Sequence, residues 1–178
     1  MGDRPEQLAH LEYLGDATRY ASQIHSLIPR CSLLENFSPA EVRLLAHFMD
    51  VYRAPAGTEV LREGDAGDFM LMLLEGSVAV QKRGGGAAQR LATLDAGKTA
   101  GEMSMIDGEA RFATCVALEP ATFAVLDRES LARIIVEQPM LGAKILMELV
   151  LMLSQRLRTT SERLVSVMDE QTAPANVV

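Results

Sequence analysis

Apolar residues near the start of the chain are spaced as on one face of a helix. They recur every three or four positions between residues 6 and 30, at Leu8, Leu11, Leu14, Ala17, Ala21, Ile24 and Leu27. This period predicts an amphipathic helix. A second short helix is predicted over about 38–49, where Ser38 suits the N-cap and Glu41, three residues later, would complete a capping box.

The pattern changes between Val51 and Leu126. Short runs rich in Val, Leu, Thr and Phe alternate there with glycines, which is typical of the short strands of an all-β sandwich or barrel. The glycines at 84–86 are flanked by basic residues and indicate an exposed hairpin tip. A Walker-type phosphate loop would continue with Lys and Ser or Thr into a helix, whereas Ala87 follows these glycines.

A helical period returns after the β region. Asp127 is placed to cap a short helix over 128–136, and Pro139 to begin a long one. The expected fold class is therefore mainly β with flanking helices. The expected organisation is an N-terminal helical segment (1–33), a β-roll (34–138), a long helix (139–170) and a frayed tail (171–178).

The long helix carries a seam of residues that alternate in steps of four and three. The seam consists of Leu146, Val150, Leu153, Leu157, Thr160, Leu164 and Val167. Such a repeat is typical of a coiled coil. A helix of about 30 residues is roughly 45 Å long and outreaches a small β-roll, so a parallel homodimer is favoured. The alternative is that the seam packs on the chain's own roll.

Charge and hydropathy argue against two kinds of partner. Lys and Arg number 17 against 24 Asp and Glu, a net charge of −7, whereas general nucleic-acid binding requires a basic face. The apolar run from Ile145 to Leu153 is interrupted by Glu148 and is too short to cross a bilayer. The chain start lacks the layout of a secretory signal. We therefore expect a cytoplasmic protein that binds neither DNA nor a membrane.

The cysteines and histidines give no pattern for a metal centre or for catalysis. Cys31 and Cys115 are too few for a disulfide scaffold, a four-cysteine zinc site or a cysteine-ligated iron–sulfur cluster. His10, His25 and His47 fall in the predicted N-terminal helices, without a nucleophile or carboxylate at a recognisable spacing. We expect neither a metal nor enzymatic activity.

One segment of the β region has the composition of an anion site. Gly101 allows the backbone to approach a ligand, and residues 102–106 are expected to form a helical turn whose free N–H groups face an anion. Arg111 leads into Phe112–Val116, which is predicted to be a buried strand, so its charge requires an anionic partner. Glu102 is then left to accept a hydrogen bond from a sugar hydroxyl. From these residues alone, a purely structural Glu–Arg pair remains the alternative.

Two motifs resemble those of a known family. Residues 55–65, Pro-Ala-Gly-Thr-Glu-Val-Leu-Arg-Glu-Gly-Asp, with Phe69 and Gly76 after them, resemble the front half of the cyclic nucleotide-binding domain. The run Gly101-Glu-x-Ser…Arg111-x-Ala-Thr resembles its phosphate-binding cassette. The match covers about residues 34–164 and implies a double-stranded β-helix, or jelly roll.

The resemblance implies a role for each cassette residue. Glu102 would bind the ribose 2′-hydroxyl, and Arg111 would neutralise the exocyclic oxygens of the cyclic phosphate. The amides near Met103 and Ser104 would add hydrogen bonds, with the Ser104 hydroxyl as a further donor. Ala113 would be small enough to let the phosphate approach.

Two further positions bear on the base. Phe112 stands where some relatives have Ser or Thr, and in cGMP-preferring relatives a Thr hydroxyl there contacts guanine. Phe112 cannot make that contact, which favours cAMP over cGMP. Residues 156–163 resemble the corresponding helix of the catabolite activator (Crp/Fnr-like) family. This resemblance implies that Thr160 contacts adenine in its own subunit and that Ser161 reaches the base bound by the second subunit.

These expectations combine into one function with two alternatives. Catabolite activators carry a winged helix-turn-helix after this helix, and because eight residues follow Glu170 we expect no DNA-binding domain in this chain. The sequence predicts a dimeric cAMP sensor that signals to an effector protein of unknown identity. The alternatives are a structural interaction module with a degenerate pocket and a DNA-binding regulator that acts with a separate module.

Overall fold

The computed structural model describes residues 6–84 and 87–172. The strands are β1 (Glu12–Asp16), β2 (Asp50–Ala54), β3 (Glu59–Leu61), β4 (Phe69–Glu75), β5 (Ser77–Gly84), β6 (Ala87–Asp95), β7 (Thr99–Ala100), β8 (Thr114–Ala117) and β9 (Ala121–Asp127). The α-helices are α1 (Ala21–Ser26), α2 (Pro39–Ala46), α3 (Glu102–Asp107), α4 (Arg128–Glu137) and α5 (Pro139–Thr172). Short 3-10 helices lie at Glu6–Leu8, Ala17–Tyr20, Ile28–Arg30 and Ser32–Leu34.

The described strands form two antiparallel sheets that share one apolar core. Their orders are β1-β2-β9-β4-β7 and β3-β8-β5-β6. The inter-sheet core, centred on Tyr52, Phe69 and Phe123, contains residues of both sheets. Strands that are consecutive in the chain alternate between the sheets over β3, β4 and β5 and again over β6 to β9. This jelly roll with flanking helices confirms the predicted fold class.

A second core, the helix-side core, lies on the other face of the first sheet. Alternate residues of a strand point to opposite faces, and β4 is accordingly buried on both. Phe69, Leu71 and Leu73 lie in the inter-sheet core, and Met70, Met72 and Leu74 lie in the helix-side core. The face of α5 that packs into the helix-side core consists of Leu141, Ile145, Leu149 and Met152. These contacts fix α5 beside the roll.

The prediction of one helix over residues 6–30 is wrong in its first half. Residues 12–16 form β1, which pairs with β2 at the edge of the sheet. Gly15 has a φ of 107°, which no right-handed helix permits, and the register shifts between Tyr13 and Gly15. The described part of the N-terminal segment, residues 6–33, is thus helical in part and contributes a strand to the roll.

The remaining elements follow the predictions closely. Ser38 and Glu41 form the capping box of α2, which ends at Ala46 rather than at 49. Asp127 caps α4 by accepting a hydrogen bond from the Ser130 N–H. β8 begins at Thr114, two residues later than the strand predicted from Phe112.

Two predictions reach the limits of the described chain. Gly84 of β5 pairs with Ala87 of β6, as the hairpin prediction requires, and the glycines at 85 and 86 lie outside the described residues. The predicted frayed tail begins at 171, but α5 continues to Thr172, and residues 173–178 lie outside the description. None of the described helices combines the length and apolar character needed to cross a membrane.

Candidate functional site

All of the predicted site residues except Ser161 line one cavity of about 530 Å³ between the β3-β8-β5-β6 sheet, α3 and α5. Its wall includes Gly101, Glu102, Met103, Ser104, Arg111, Phe112, Ala113 and Thr160. Ser161 is not part of this wall: its hydroxyl donates to the Leu157 carbonyl at 2.9 Å, and its side chain is exposed. The role predicted for Ser161 belongs to a second subunit, so it stays a prediction.

Arg111 is the buried cation of this cavity. Its side chain is 3% exposed, and Nη1 donates to the Phe69 carbonyl at 2.7 Å and to the Gly101 carbonyl at 2.9 Å. Nε and Nη2 are buried without a hydrogen-bond partner in the described part of the chain. Burial lowers the pKa of Arg111, while nearby carboxylates, Asp68 first, act in the opposite direction. Two nitrogens without a partner on a buried guanidinium are the donors that an oxyanion would satisfy.

Two glycines make room for the guanidinium. A Cβ on Gly101 would lie 2.7 Å from Arg111 Nη1, and one on Gly67 would lie 2.6 Å from Arg111 Cζ. Gly101 also has a φ of 88°, which favours glycine. The predicted purpose of Gly101 was a close approach of backbone and ligand. In the structure, the space beside Gly101 is taken by Arg111.

The short helix α3 follows Gly101 directly. Its first helical hydrogen bond runs from Met105 N to the Gly101 carbonyl at 3.2 Å, so the N–H groups of residues 102–104 precede the helical ladder. At its other end, the carbonyls of Ser104 and Met105 accept hydrogen bonds from Arg128 at 2.8 and 2.7 Å. The helical turn expected at this position is therefore present and is tied to α4.

Glu102 is bound by the long helix. Its side chain is 3% exposed, and Oε1 lies 2.9 Å from Arg156 Nη1 and accepts a hydrogen bond from Thr99 Oγ1 at 2.5 Å. Arg156 Nη2 is also 3.2 Å from the Thr99 carbonyl. Sequence reasoning missed Arg156 and Thr99. Arg156 could have been found from Thr160, because residues four apart on a helix share a face.

The rest of the wall is cationic and partly apolar. Lys98, Arg111, Arg156 and Arg163 line the cavity beside one carboxylate, Glu102. Thr160 Oγ1 donates to the Arg156 carbonyl at 2.8 Å. A chain with an overall charge of −7 thus concentrates positive charge at this cavity, which suits an anionic ligand.

Cys115 also lines the cavity, as a buried thiol. Burial raises its pKa to about 12, so the group is a neutral thiol near pH 7 and a poor nucleophile. No group of three or more His, Cys, Asp or Glu residues that could hold a metal ion occurs within the described ranges.

Most of the seam is not covered by the chain's own roll. Leu157 is 68% exposed and Leu164 is 60% exposed, whereas the buried face of α5 is the one described in the helix-side core. The alternative in which these seam positions pack on the same chain is therefore wrong.

The β-roll thus buries an arginine with unpaired donors in a cationic cavity, an arrangement that suits a small anion. A family model described as cyclic nucleotide-binding domain matches residues 52–138. The crystal structure of a cyclic nucleotide-binding domain from Methylobacillus flagellatus is 36% identical, with a TM-score of 0.82 over 98% of this chain and 99% of that one. The chain belongs to the cyclic nucleotide-binding domain family.

Two curated relatives show the breadth of this family. The cyclic AMP receptor protein of Thermus thermophilus is 30% identical over 127 residues, which are 71% of this chain and 57% of that protein. The cGMP-dependent protein kinase egl-4 of Caenorhabditis briggsae is 30% identical over 117 residues, which are 64% of this chain and 16% of the kinase. The matched regions thus span less than two thirds of either relative. The predicted kinship with catabolite activators is confirmed, since the solved Thermus thermophilus catabolite activator protein is 28% identical with a TM-score of 0.70 over 77% of this chain and 63% of that one.

Proposed function

We propose that this protein is a cyclic nucleotide sensor that prefers cAMP and acts as a homodimer on an effector protein. The observation that carries the proposal is the buried Arg111, whose Nε and Nη2 have no protein partner within the described chain. A guanidinium in this state is costly unless an anion neutralises it. The exocyclic oxygens of a cyclic phosphate present the charge and the two acceptors that this fork of donors fits.

The groups around Arg111 fit the rest of the nucleotide. The contacts of Glu102 with Arg156 and Thr99 use Oε1, and we assign Oε2 to the ribose 2′-hydroxyl. The N–H groups of Met103 and Ser104 precede the helical ladder of α3 and add donors for the phosphate. Ala113 lines the cavity without occupying the volume that a larger side chain would fill.

Two residues favour adenine. Thr160 Oγ1 donates to the Arg156 carbonyl, so the lone pairs of this hydroxyl are left to accept a hydrogen bond from the exocyclic amine. Phe112 lacks the hydroxyl that would contact guanine. In the proposed dimer, Ser161 reaches the base bound in the second subunit, so ligand occupancy and the position of α5 depend on each other.

Isothermal titration with cAMP and cGMP tests the proposal. We expect tighter binding of cAMP, and a loss on the order of 2–5 kcal/mol for Arg111→Ala. Arg111→Lys keeps the charge but not the planar fork, so its loss is expected to be smaller. Arg90→Ala, which removes an exposed arginine of β6 outside the cavity, is the matched control and should bind like the parent.

The titration also separates the sensor from an interaction module with a degenerate pocket. At about 1 mM ligand even a site worth ~4 kcal/mol is half-filled. Failure of both nucleotides to bind at that concentration contradicts the sensor and leaves the interaction module. Unchanged cAMP affinity in Arg111→Ala, with the variant folded by circular dichroism, removes Arg111 from the site.

A further inference from the structure

Phe112 differs from the other phenylalanines of the chain in its exposure. The sequence has five Phe; Phe37, Phe69 and Phe123 are buried, and Phe48 is half-buried. Phe112 is 56% exposed and lines the cavity next to Arg111. Phe112 therefore does not contribute to a hydrophobic core, and an exposed apolar ring at the wall of a cavity is a candidate for contact with a ligand.

The ring of Phe112 is held in position by Lys82. The Lys82 ammonium lies 4.3 Å from the ring centroid, and the same group donates to the Phe112 carbonyl at 2.6 Å. Lys82 is in turn paired with Glu63 at 2.9 Å, and Glu63 also accepts a hydrogen bond from Arg83 N at 2.9 Å. Both the backbone and the ring of Phe112 are therefore positioned by contacts within the chain, which reduces the entropy that ordering this side chain costs on binding.

The position of the ring fits one part of a nucleotide. Arg111 is assigned to the phosphate and is adjacent in sequence to Phe112, so their Cα atoms are about 3.8 Å apart. Met103, on α3, lines the same cavity and is also half exposed. Neither side chain has a hydrogen-bonding group for the phosphate or the ribose, whereas every nucleobase has an apolar face.

We propose that Phe112, supported by Met103, is the surface on which the base stacks, and that it makes the site select purine over pyrimidine cyclic nucleotides. This inference rests on the proposed function and adds the determinant of base size. A purine presents two fused rings to the phenyl face and a pyrimidine presents one, so the purine gains more from the contact. Lys82 keeps the ring in place for the base.

Titrations of the full chain with cAMP and with cytidine 3′,5′-cyclic monophosphate test this role. We expect Phe112→Ala to weaken cAMP binding about ten-fold, within the range that base–aromatic stacking supports. Binding of the cytidine nucleotide should weaken by less than about three-fold. Phe112→Tyr keeps the ring and should retain cAMP affinity, while Phe112→Leu keeps apolar bulk without the ring and should lose most of it. Leu91→Ala truncates an exposed apolar side chain outside the cavity and should change neither affinity.

Each outcome of this comparison has one meaning. The stacking role is wrong if the parent chain binds cAMP but Phe112→Ala leaves the cAMP affinity unchanged, raises it, or lowers the affinities for both nucleotides equally. The proposed sensor function would stand in that case. If the parent chain binds neither nucleotide at about 1 mM, the proposed function fails and this inference fails with it. A larger loss for cAMP than for the cytidine nucleotide, with rescue by Tyr, supports it.

Discussion

Glu102 is held by contacts from two other elements of the chain. Thr99 of β7 donates to it, and Arg156 of α5 pairs with it at 2.9 Å. The carboxylate is buried, but the Arg156 side chain is 45% exposed. The pair therefore connects a buried residue of the cavity wall, Glu102, to a partly exposed residue of α5, Arg156. The pair contributes to stability because it gives the buried carboxylate a cationic partner, whereas an ion pair between two exposed side chains contributes little.

A double-mutant cycle measures this pair. Arg156→Ala leaves a buried carboxylate without its cation and should lower the free energy of unfolding by about 1–2 kcal/mol, less than for a fully buried pair because Arg156 is half exposed. Once Glu102 is Gln, the same Arg156→Ala change should cost little. Urea denaturation of the parent, the two single variants and the double variant checks this.

The control for this cycle is an arginine on another face of α5. Arg158 is exposed two residues further along the helix, and Arg158→Ala should leave the free energy of unfolding within about 0.5 kcal/mol. Losses from Arg156→Ala and Glu102→Gln that simply add in the double variant would show that the two side chains do not interact.

Local composition was enough to indicate Arg111 and Glu102 but not Arg156. A charged residue entering an apolar run stands out within a few positions, and Arg111 does so. The partner of Glu102 lies 54 positions further along the chain. Its spacing of four from Thr160 places Arg156 on the same helix face, but no local pattern identifies it as the partner of Glu102. The contact exists because the fold brings Arg156 of α5 to the cavity that Glu102, the first residue of α3, also lines, which is a property of the tertiary structure.

At the scale of elements, the N-terminal segment shows where periodicity misleads. Leu8, Leu11 and Ile24 fit one helical face, yet Leu8 and Leu11 lie in the inter-sheet core and Ile24 lies in the helix-side core. The repeat thus spans several short elements that bury residues on opposite sides of one sheet. Gly15 was the local sign against a continuous helix, because glycine lowers helix propensity.

The starts of α2 and α4, which are marked by N-capping residues, were predicted correctly for a physical reason. The caps of α2 and α4 are hydrogen bonds between residues three apart, so both partners are visible in the local sequence. The start of β8 was placed two residues early because Phe112 and Ala113 are apolar but line the cavity instead of pairing.

Glu41, the carboxylate of the α2 capping box, also joins that helix to α5. Both carboxylate oxygens of Glu41 lie 2.9 Å from Lys144 Nζ, and Oε2 accepts from Ser38 N at 2.8 Å. The hydrogen bond from Lys144, followed by that from the Ser38 backbone, lowers the pKa of Glu41 to about 2 from the ordinary 4.5. The ionised carboxylate is thus the form that the fold stabilises.

This pair predicts a defined pH dependence. Because the pKa of Glu41 is depressed in the folded state, its contribution to stability is complete above about pH 4.5 and is lost as the pH falls to about 2. Glu41→Gln keeps a capping-box side chain but removes the charge, so its melting temperature should be lower than the parent's at pH 7, and the gap should close below pH 4.5. Lys144→Gln should show the same trend. A gap that stays constant from pH 7 to pH 2.5 would contradict it.

For the molecule as a whole, the cavity is connected to α5 by two routes. Arg156 and Thr160 line it directly, and Arg128, the first residue of α4, binds the Ser104 and Met105 carbonyls of α3; α4 in turn precedes α5. A ligand that engages α3 and Thr160 together therefore contacts both routes. A ligand can shift α5 between two positions only if it binds more tightly in one of them, and contacts along both routes are a means to that difference in affinity.

The same helix presents the seam to solvent, and this determines the expected assembly. Leu157 and Leu164 are more than half exposed in the single chain, and an apolar heptad repeat of this length is buried by a second helix in a coiled coil. Replacing both with Glu places like charges across the axis of a parallel dimer, where they repel. Since neither residue is in a core, the fold of each chain should persist.

We therefore expect the parent chain to sediment with the mass of two chains and the Leu157→Glu/Leu164→Glu variant with the mass of one. Leu118→Glu, which changes an exposed leucine between β8 and β9, is the matched control and should stay dimeric. Circular dichroism of the three proteins should coincide in shape. A parent chain that sediments as a monomer, or a double variant that remains dimeric, would contradict assembly through the seam. It would also remove the physical basis for Ser161 contacting the base bound in the second subunit.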